Sequence, residues 1–175
     1  PLVEACERWL GVRARVSDAR AGLPIVLQGD EPLTVGADRI LDPLAASRLD
    51  KVDTVVVDLG TATSYDCITA EGVFLGGIIA PGLRTSADTL IRRTSKLPAT
   101  ELVPPPRAIG TRTEDCIRAG VLFGAADAID GLVRRIKGEW PTKRGPRIVA
   151  TGGLAPLVTA ICRETDLVEP HLTLY

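Results

Sequence analysis

The sequence predicts an α/β layered fold built on a mixed sheet. Three observations point there. Residues 52–58 (VDTVVVD) are apolar without alternation, as expected of a central strand covered on both faces. Two further strand-like runs, 63–69 (TSYDCIT) and 73–79 (VFLGGII), follow at once and are joined through Glu71-Gly72, a tight-turn signal. Helical patterns then alternate with a short apolar strand at 147–151 (RIVAT).

In chain order, residues 2–10 (LVEACERWL) place Leu2, Cys6, Trp9 and Leu10 near one helical face, with Gly11 as the terminating residue. Residues 12–17 and 24–28 read as short strands, and Gly29 to Pro32 as a loop. A helix is expected from about Ala37 to Leu49, with Pro43 early in it or bending it. After the three strands, Pro81-Gly82 marks a turn and a helix covers about 85–95. Residues 98–110, with three consecutive prolines, form a loop. A long helix spans 113–138, with Thr111 or Thr113 as N-cap and Glu114-Asp115 in its first turn. Gly120, Gly124 and Gly131 fall inside it, each costing about 0.5–1 kcal/mol relative to Ala. Close packing on a strand, or space left for a ligand, would explain that cost. A polar loop at 141–146 precedes the strand at 147–151. A helix at about 154–163 and a short strand at 166–168 complete the chain. Three antiparallel-capable strands followed by helices that return to the sheet are the pattern of a ribonuclease-H-like lobe.

The composition bounds the function. The 175 residues are 45% hydrophobic and 25% charged, ordinary for a globular domain. The net charge of −1 argues against a broad nucleic-acid surface. No apolar run reaches the length of a membrane helix, and no secretory leader is seen. Cys6, Cys67, Cys116 and Cys162 are widely spaced, which reads as reduced thiols of a cytoplasmic protein with no zinc ribbon. The single His171 leaves no multi-His metal site and no Ser-His-Asp triad, and is expected at the surface. A chain that starts at Pro1 and contains no Met reads as part of a longer protein.

Three glycine-acid clusters carry the chemistry. In Val55 to Thr63 (VVVDLGTAT) a buried-type strand ends on Asp58 and turns through Gly60 and Thr61. An acid there can hold a cation or an attacking group, Gly60 lets backbone approach an anion, and the hydroxyls of Thr61 and Thr63 can donate to phosphate oxygens; a β-hairpin whose turn merely favours Gly and Thr is the plainer alternative. Asp66 follows eight residues on. In Gly36-Ala37-Asp38-Arg39, Asp38 can act as general base on a substrate hydroxyl and Arg39 can clamp an anion. The plainer alternative is a capping Asp and a surface Arg. In Thr151-Gly152-Gly153 a strand runs into a glycine turn that lets backbone approach a flat or anionic ligand; a βα turn needing Gly for geometry is the plainer alternative.

Taken together and in order, these segments resemble type III pantothenate kinase, of the actin-like kinase superfamily. The matching stretches are VGADRI (35–40), VVVDLGTATSYD (55–66), FLGGIIAPGL (74–83), SKLP (95–98) through ELV (101–103), IGTRTEDCIRAGVLFG (109–124), VATGGLA (149–155) and VEPHLTL (168–174). The resemblance implies two lobes: residues 1–50 as the end of a first lobe carrying GADR, and 51–175 as a second, ribonuclease-H-like lobe. It implies ATP-dependent phosphorylation of pantothenate, the first step of coenzyme A biosynthesis. Asp38 resembles the general base. Gly36, Ala37, Arg39 and Thr113 resemble substrate contacts. Asp58 resembles the ligand of a monovalent cation, potassium or ammonium. Thr61, with Gly60, resembles the ATP phosphate contact, and Thr151, Gly152 and Gly153 the nucleotide-side wall. A divalent cation, magnesium, accompanies ATP, and a homodimer built on the 113–138 helix is implied.

The chain departs from the family pattern in lacking the first-strand Asp-x-Gly-Asn-Thr phosphate loop, so this segment is not expected to catalyse unaided. It also has Gly29 where the family carries a tyrosine, and Asp42 where it carries an asparagine. The family includes members named for transcriptional activation (Bvg accessory factor). A regulatory or accessory protein on the same scaffold is therefore an alternative, as is another actin-like small-molecule kinase.

Overall fold

The structure, a computed structural model, describes residues 2–174 except 15, 18 and 20. One mixed sheet organises it: β1 (Val26–Leu27), β2 (Thr54–Leu59), β3 (Ala62–Ile68), β4 (Val73–Pro81), β5 (Arg147–Thr151) and β6 (Leu167–Val168). Their spatial order is β1-β4-β3-β2-β5-β6. β3 is antiparallel to both β2 and β4, while β1 on β4, β5 on β2 and β6 on β5 are parallel. The β3–β4 hairpin forms where Glu71-Gly72 predicts it, closed by Gly72 N–H to Thr69 C=O at 2.9 Å.

The helices are α1 (Leu2–Ala5), α2 (Asp38–Asp50), α3 (Leu83–Arg93), α4 (Thr113–Glu139) and α5 (Ala155–Thr159). β2 is central, and Val55, Val56 and Val57 are completely buried. Burial of each such side chain stabilises the fold by about 1.5–3 kcal/mol. Alternation along β2 divides the core. Val55, Val57 and Leu59 pack with Leu122, Ala126, Ile129 and Val133 of α4 and with Val158 of α5. Val56 and Val149 pack on the other face with Ala46 of α2 and with Leu172 in the 3-10 turn Leu172–Leu174. The two faces therefore carry different helices, and side chains that follow Val56 in alternation point toward α2.

Several expectations are corrected. The described residues of 12–17 contain no strand, and residue 15 lies outside the described residues. The strand expected at 24–28 shrinks to Val26–Leu27. The first helix gives way to a π-helix at Cys6–Leu10, and none of its residues is buried, because its apolar face meets no partner among the described residues. Pro43 lies in the first half of α2, in keeping with the expectation for it. α4 is capped by Arg112, with no side-chain cap bond; Thr113 is its first helical residue. A Cβ at Gly120, Gly124 or Gly131 would meet no atom within 4 Å, so close packing on a strand does not explain these glycines. The helix expected at 154–163 is only Ala155–Thr159. The N–H groups of Arg163 and Glu164 donate instead to the buried Asp130 carboxylate of α4, at 3.0 Å each, which draws the chain out of the helix. His171 is exposed and the four cysteines are free, as the sequence predicts. Among the described residues no helix is long and apolar enough to cross a membrane.

Candidate functional site

The site is built where β2 and β5 end. Asp58 pairs across the sheet with Ser64 on β3 and with Thr151 on β5, and Val56 with Asp66. Alternation puts Asp58, Ser64, Asp66 and Thr151 on the face covered by α2. The turn after Asp58 is held from the outside. A Cβ on Gly82 would collide with the carbonyl oxygen of Thr61 and come within 2.7 Å of that of Gly60, so the Pro81-Gly82 turn can lie against Gly60-Thr61 only as glycine. The Thr85 hydroxyl donates to the Thr61 carbonyl at 2.7 Å. On the other flank Gly152 has φ of +90°, and a Cβ there would sit 2.5 Å from Asp58 Oδ1 and 2.9 Å from the Leu59 backbone. Thr151 is buried, whereas Gly153 is exposed with open space around it. Asp58, Gly60, Thr61, Thr151, Gly152 and Gly153 are thus brought together at one end of the sheet.

The GADR segment enters from α2. Asp38 is exposed, and its carboxylate folds back so that a Cβ on Gly36 would lie 2.7 Å from Asp38 Oδ1. Ala37 precedes the helix as its cap. Arg39 reaches down to the sheet, where its Nε donates to Asp66 Oδ1 at 2.8 Å and its Nη2 lies 2.6 Å from the same oxygen. Ser64 Oγ donates to Asp66 Oδ2 at 2.8 Å. Gly77 lies opposite Asp66 on β4; a Cβ there would collide with the Tyr65 carbonyl oxygen and also come within 3.0 Å of Arg39 Nη2.

The electrostatics follow from burial and crowding of like charges. Burial pushes the Asp58 carboxyl up to about 6, and Asp42, Asp38 and Asp66 add to the rise in that order. No hydrogen-bond donor offsets it among the described residues. Burial also raises Asp66, opposed by its bonds from Arg39 and Ser64. Asp42 is raised by burial, eased by the Thr173 hydroxyl; its Oδ1 is buried without a hydrogen-bond partner. Asp38, Asp42, Asp58 and Asp66 thus act on one another as like charges, and the Arg39 guanidinium is paired with Asp66 alone of the four. Such a site favours a cation, because uncompensated buried carboxylates cost free energy that a positive charge recovers. Asp58, a partly buried carboxylate with glycine backbone on both flanks, is of a chemistry that could hold a hard cation. Among the described residues no three His, Cys, Asp or Glu side chains are placed to hold a metal together.

Thr113 is not brought to this cluster. It is exposed at the start of α4, which packs on the sheet face opposite α2. Ser64 and Gly82 are not among the site residues that the sequence marks; Asp66, marked there as the acid eight residues beyond Asp58, is the partner of Arg39. Two polar residues at i and i+2 inside an otherwise buried strand are the signal that marks Ser64 and Asp66.

The fold and this site define an α/β protein that gathers an acid, a Gly-Thr turn and a glycine-lined βα turn at one end of a mixed sheet, with an Asp-Arg pair laid over it. Residues 1–135 match the family model described as type III pantothenate kinase. The chain is 46% identical over 149 residues to a type III pantothenate kinase of Rubrobacter xylanophilus, covering 83% of this chain and 56% of that protein. For the corresponding proteins of Acidothermus cellulolyticus and Desulfatibacillum aliphaticivorans the identities are 43% and 41%, covering 89% and 97% of this chain and 59% and 65% of theirs. A solved Baf family protein from Campylobacter jejuni shares the fold with a TM-score of 0.58 at 21% identity, covering 86% of this chain and 64% of that one. The chain belongs to the type III pantothenate kinase family. It spans roughly three-fifths of the length of these curated relatives.

Proposed function

We propose that the protein containing this chain transfers the γ-phosphoryl group of ATP to the primary hydroxyl of pantothenate, giving 4'-phosphopantothenate in the first step of coenzyme A biosynthesis. The observation that carries this reading is the joining of two motifs. Arg39, beside Asp38, is bonded to Asp66 on the strand that follows the Asp58-Gly60-Thr61 turn, so the acid suited to a base and the turn suited to phosphate share one face. Asp38 takes the proton of the attacking hydroxyl; its exposure at the helix start leaves it accessible. Gly36 and Ala37 line the approach, and Arg39 holds the pantothenate carboxylate. Thr61 with Gly60 meets the phosphates, and Thr151, Gly152 and Gly153 flank the nucleotide. Phosphoryl transfer asks mainly for such positioning and for charge neutralisation. Asp58 would hold a potassium or ammonium ion, and magnesium would accompany ATP. When bound, these ions supply positive charge that lets anionic phosphates approach an acid-rich face.

In the same reading residues 1–50 close a first lobe and 51–175 form a ribonuclease-H-like second lobe of the actin-like class. The strand order β4-β3-β2-β5-β6, with only β3 reversed, supports this. Thr113 serves the site from a second copy, which makes the protein a homodimer along α4; its place across the sheet from α2 supports this, as do the open sides of Gly120, Gly124 and Gly131. A cytoplasmic location follows from the role in coenzyme A synthesis. The test is ADP release by the full-length protein with and without pantothenate. Turnover that ignores pantothenate refutes the reading.

A further inference from the structure

Arg39 is held more elaborately than an ordinary surface arginine. Its Nε and Nη2 both point at Asp66 Oδ1, at 2.8 and 2.6 Å, which occupies the side edge of the guanidinium. Asp66 is 2% exposed, and its second oxygen is engaged by the Ser64 hydroxyl at 2.8 Å, so the carboxylate cannot rotate away. The Phe74 ring lies 5.9 Å from Arg39 Cζ and supports the planar group. A Cβ on Gly77 would collide with the Tyr65 carbonyl oxygen, so the sheet backbone itself requires glycine there, and the guanidinium lies over that open position. Two of the five N–H groups are used; the end edge, Nη1 with the second N–H of Nη2, has no acceptor among the described residues. The side chain is 20% exposed. An arginine fixed on one edge and open on the other is arranged for two parallel bonds to a carboxylate.

We propose that Asp66 is the positioning residue that aims Arg39 at the substrate carboxylate, with Ser64 locking Asp66 in turn. This rests on the pantothenate reading of the same site. Asp66 touches no reacting atom; it sets the angle at which Arg39 meets the ligand. The pair also makes a directional distinction from simple electrostatics. Removing a negative charge from an acid-rich face should by itself tighten binding of an anion. Removing a positioning group should loosen it, and only for ligands that carry the carboxylate.

The experiment compares kcat/KM for pantothenate with kcat/KM for pantothenyl alcohol, which keeps the reacting hydroxyl and replaces the carboxylate. The full-length protein is used, unaltered and as Asp66→Ala, Asp66→Asn and Ser64→Ala. Loss of one well-aimed charge-assisted contact corresponds to about a tenfold change. Asp66→Ala is expected to cut the preference for pantothenate over the alcohol by about tenfold, chiefly through KM, with KM for ATP unchanged. Asp66→Asn, which keeps an acceptor in place, is expected to restore most of the preference. Ser64→Ala should lower it about twofold to threefold and decides the matter if Asp66→Ala does not fold. An equal loss on both substrates reveals a merely structural ion pair and overturns the proposal, as does an unchanged or increased preference. If the unaltered protein does not phosphorylate pantothenate at all, the functional reading beneath the proposal fails instead, and the proposal falls with it.

Discussion

Replacing Asp58 with Asn should stabilise the cation-free protein at neutral pH, in spite of removing a group at the centre of the site. In the folded chain the Asp58 carboxyl is pushed from an ordinary 3.8 up to about 6, first by burial and then by Asp42, Asp38 and Asp66. Raising a carboxyl's pKa by one corresponds to about 1.36 kcal/mol, which sets an upper bound of about 3 kcal/mol. The carboxylate is only partly buried, so screening by solvent reduces this to about 1–2 kcal/mol. The sign is fixed by proton linkage. A raised folded value means the folded state binds the proton more tightly, so the favourable contribution is complete below about pH 4 and is lost as pH rises through about 6. Asn carries no charge and escapes the loss. Thermal melting of both proteins in potassium-free buffer should therefore give similar Tm values near pH 4 and a rise of about 2–8 °C for Asp58→Asn at pH 7.5. Adding potassium should raise the Tm of the unaltered protein and leave the variant unmoved. A variant less stable at pH 7.5, or a difference that does not change with pH, refutes the electrostatic account.

Other outcomes follow from particular contacts. Gly152→Ala forces a Cβ to within 2.5 Å of Asp58 Oδ1 at a positive φ, and should cost about 1–3 kcal/mol in denaturant unfolding while weakening the potassium response. Asp53 accepts the Ala70 N–H at 2.9 Å and Trp140 Nε1–H at 2.9 Å, so Asp53→Ala orphans both donors and should lower stability by about 1–3 kcal/mol in urea. Its carboxyl is held below the usual range by those bonds, which together outweigh burial, the largest single influence; the stability it contributes at neutral pH should fade as pH drops below about 4. If Thr113 acts across the dimer, mixing inactive Asp38→Asn with inactive Thr113→Ala protein should regain about a quarter of normal activity, since half the random dimers hold one intact site. No recovery on mixing, with subunit exchange demonstrated by mass spectrometry, contradicts the shared site.

Much of this fold can be read from residue order because its centre is unusually plain. Val55, Val56 and Val57 have no polar alternation, which suits only a strand covered on both sides, and Gly72 closes the hairpin that follows β3. The gathering of Asp58, Gly60 and Thr151 follows from the parallel pairing of β5 on β2; the sequence marks both turns as sites but not that pairing. Features set by distant contacts were not readable. The shortening of α5 depends on Asp130, far away on α4, capturing the N–H groups of Arg163 and Glu164. The tightness at Gly82 and Gly77 depends on which backbone atoms approach them, and Pro81-Gly82 looks like any turn. The crowding of Asp42 against Asp58 depends on how α2 lies on the sheet, and Thr113 falls across the sheet although its motif suggests a role beside Asp38.

The central claim, that Asp38 is the base of a pantothenate kinase, is tested most directly by pantothenate-dependent ADP formation in the full-length protein and its Asp38→Asn variant. The account predicts ATP turnover only with pantothenate, one phosphopantothenate per ADP, and a fall in kcat of about 10²–10⁴-fold in the variant with pantothenate binding retained. ADP formation that does not depend on pantothenate, or an Asp38→Asn variant with unchanged kcat, contradicts it.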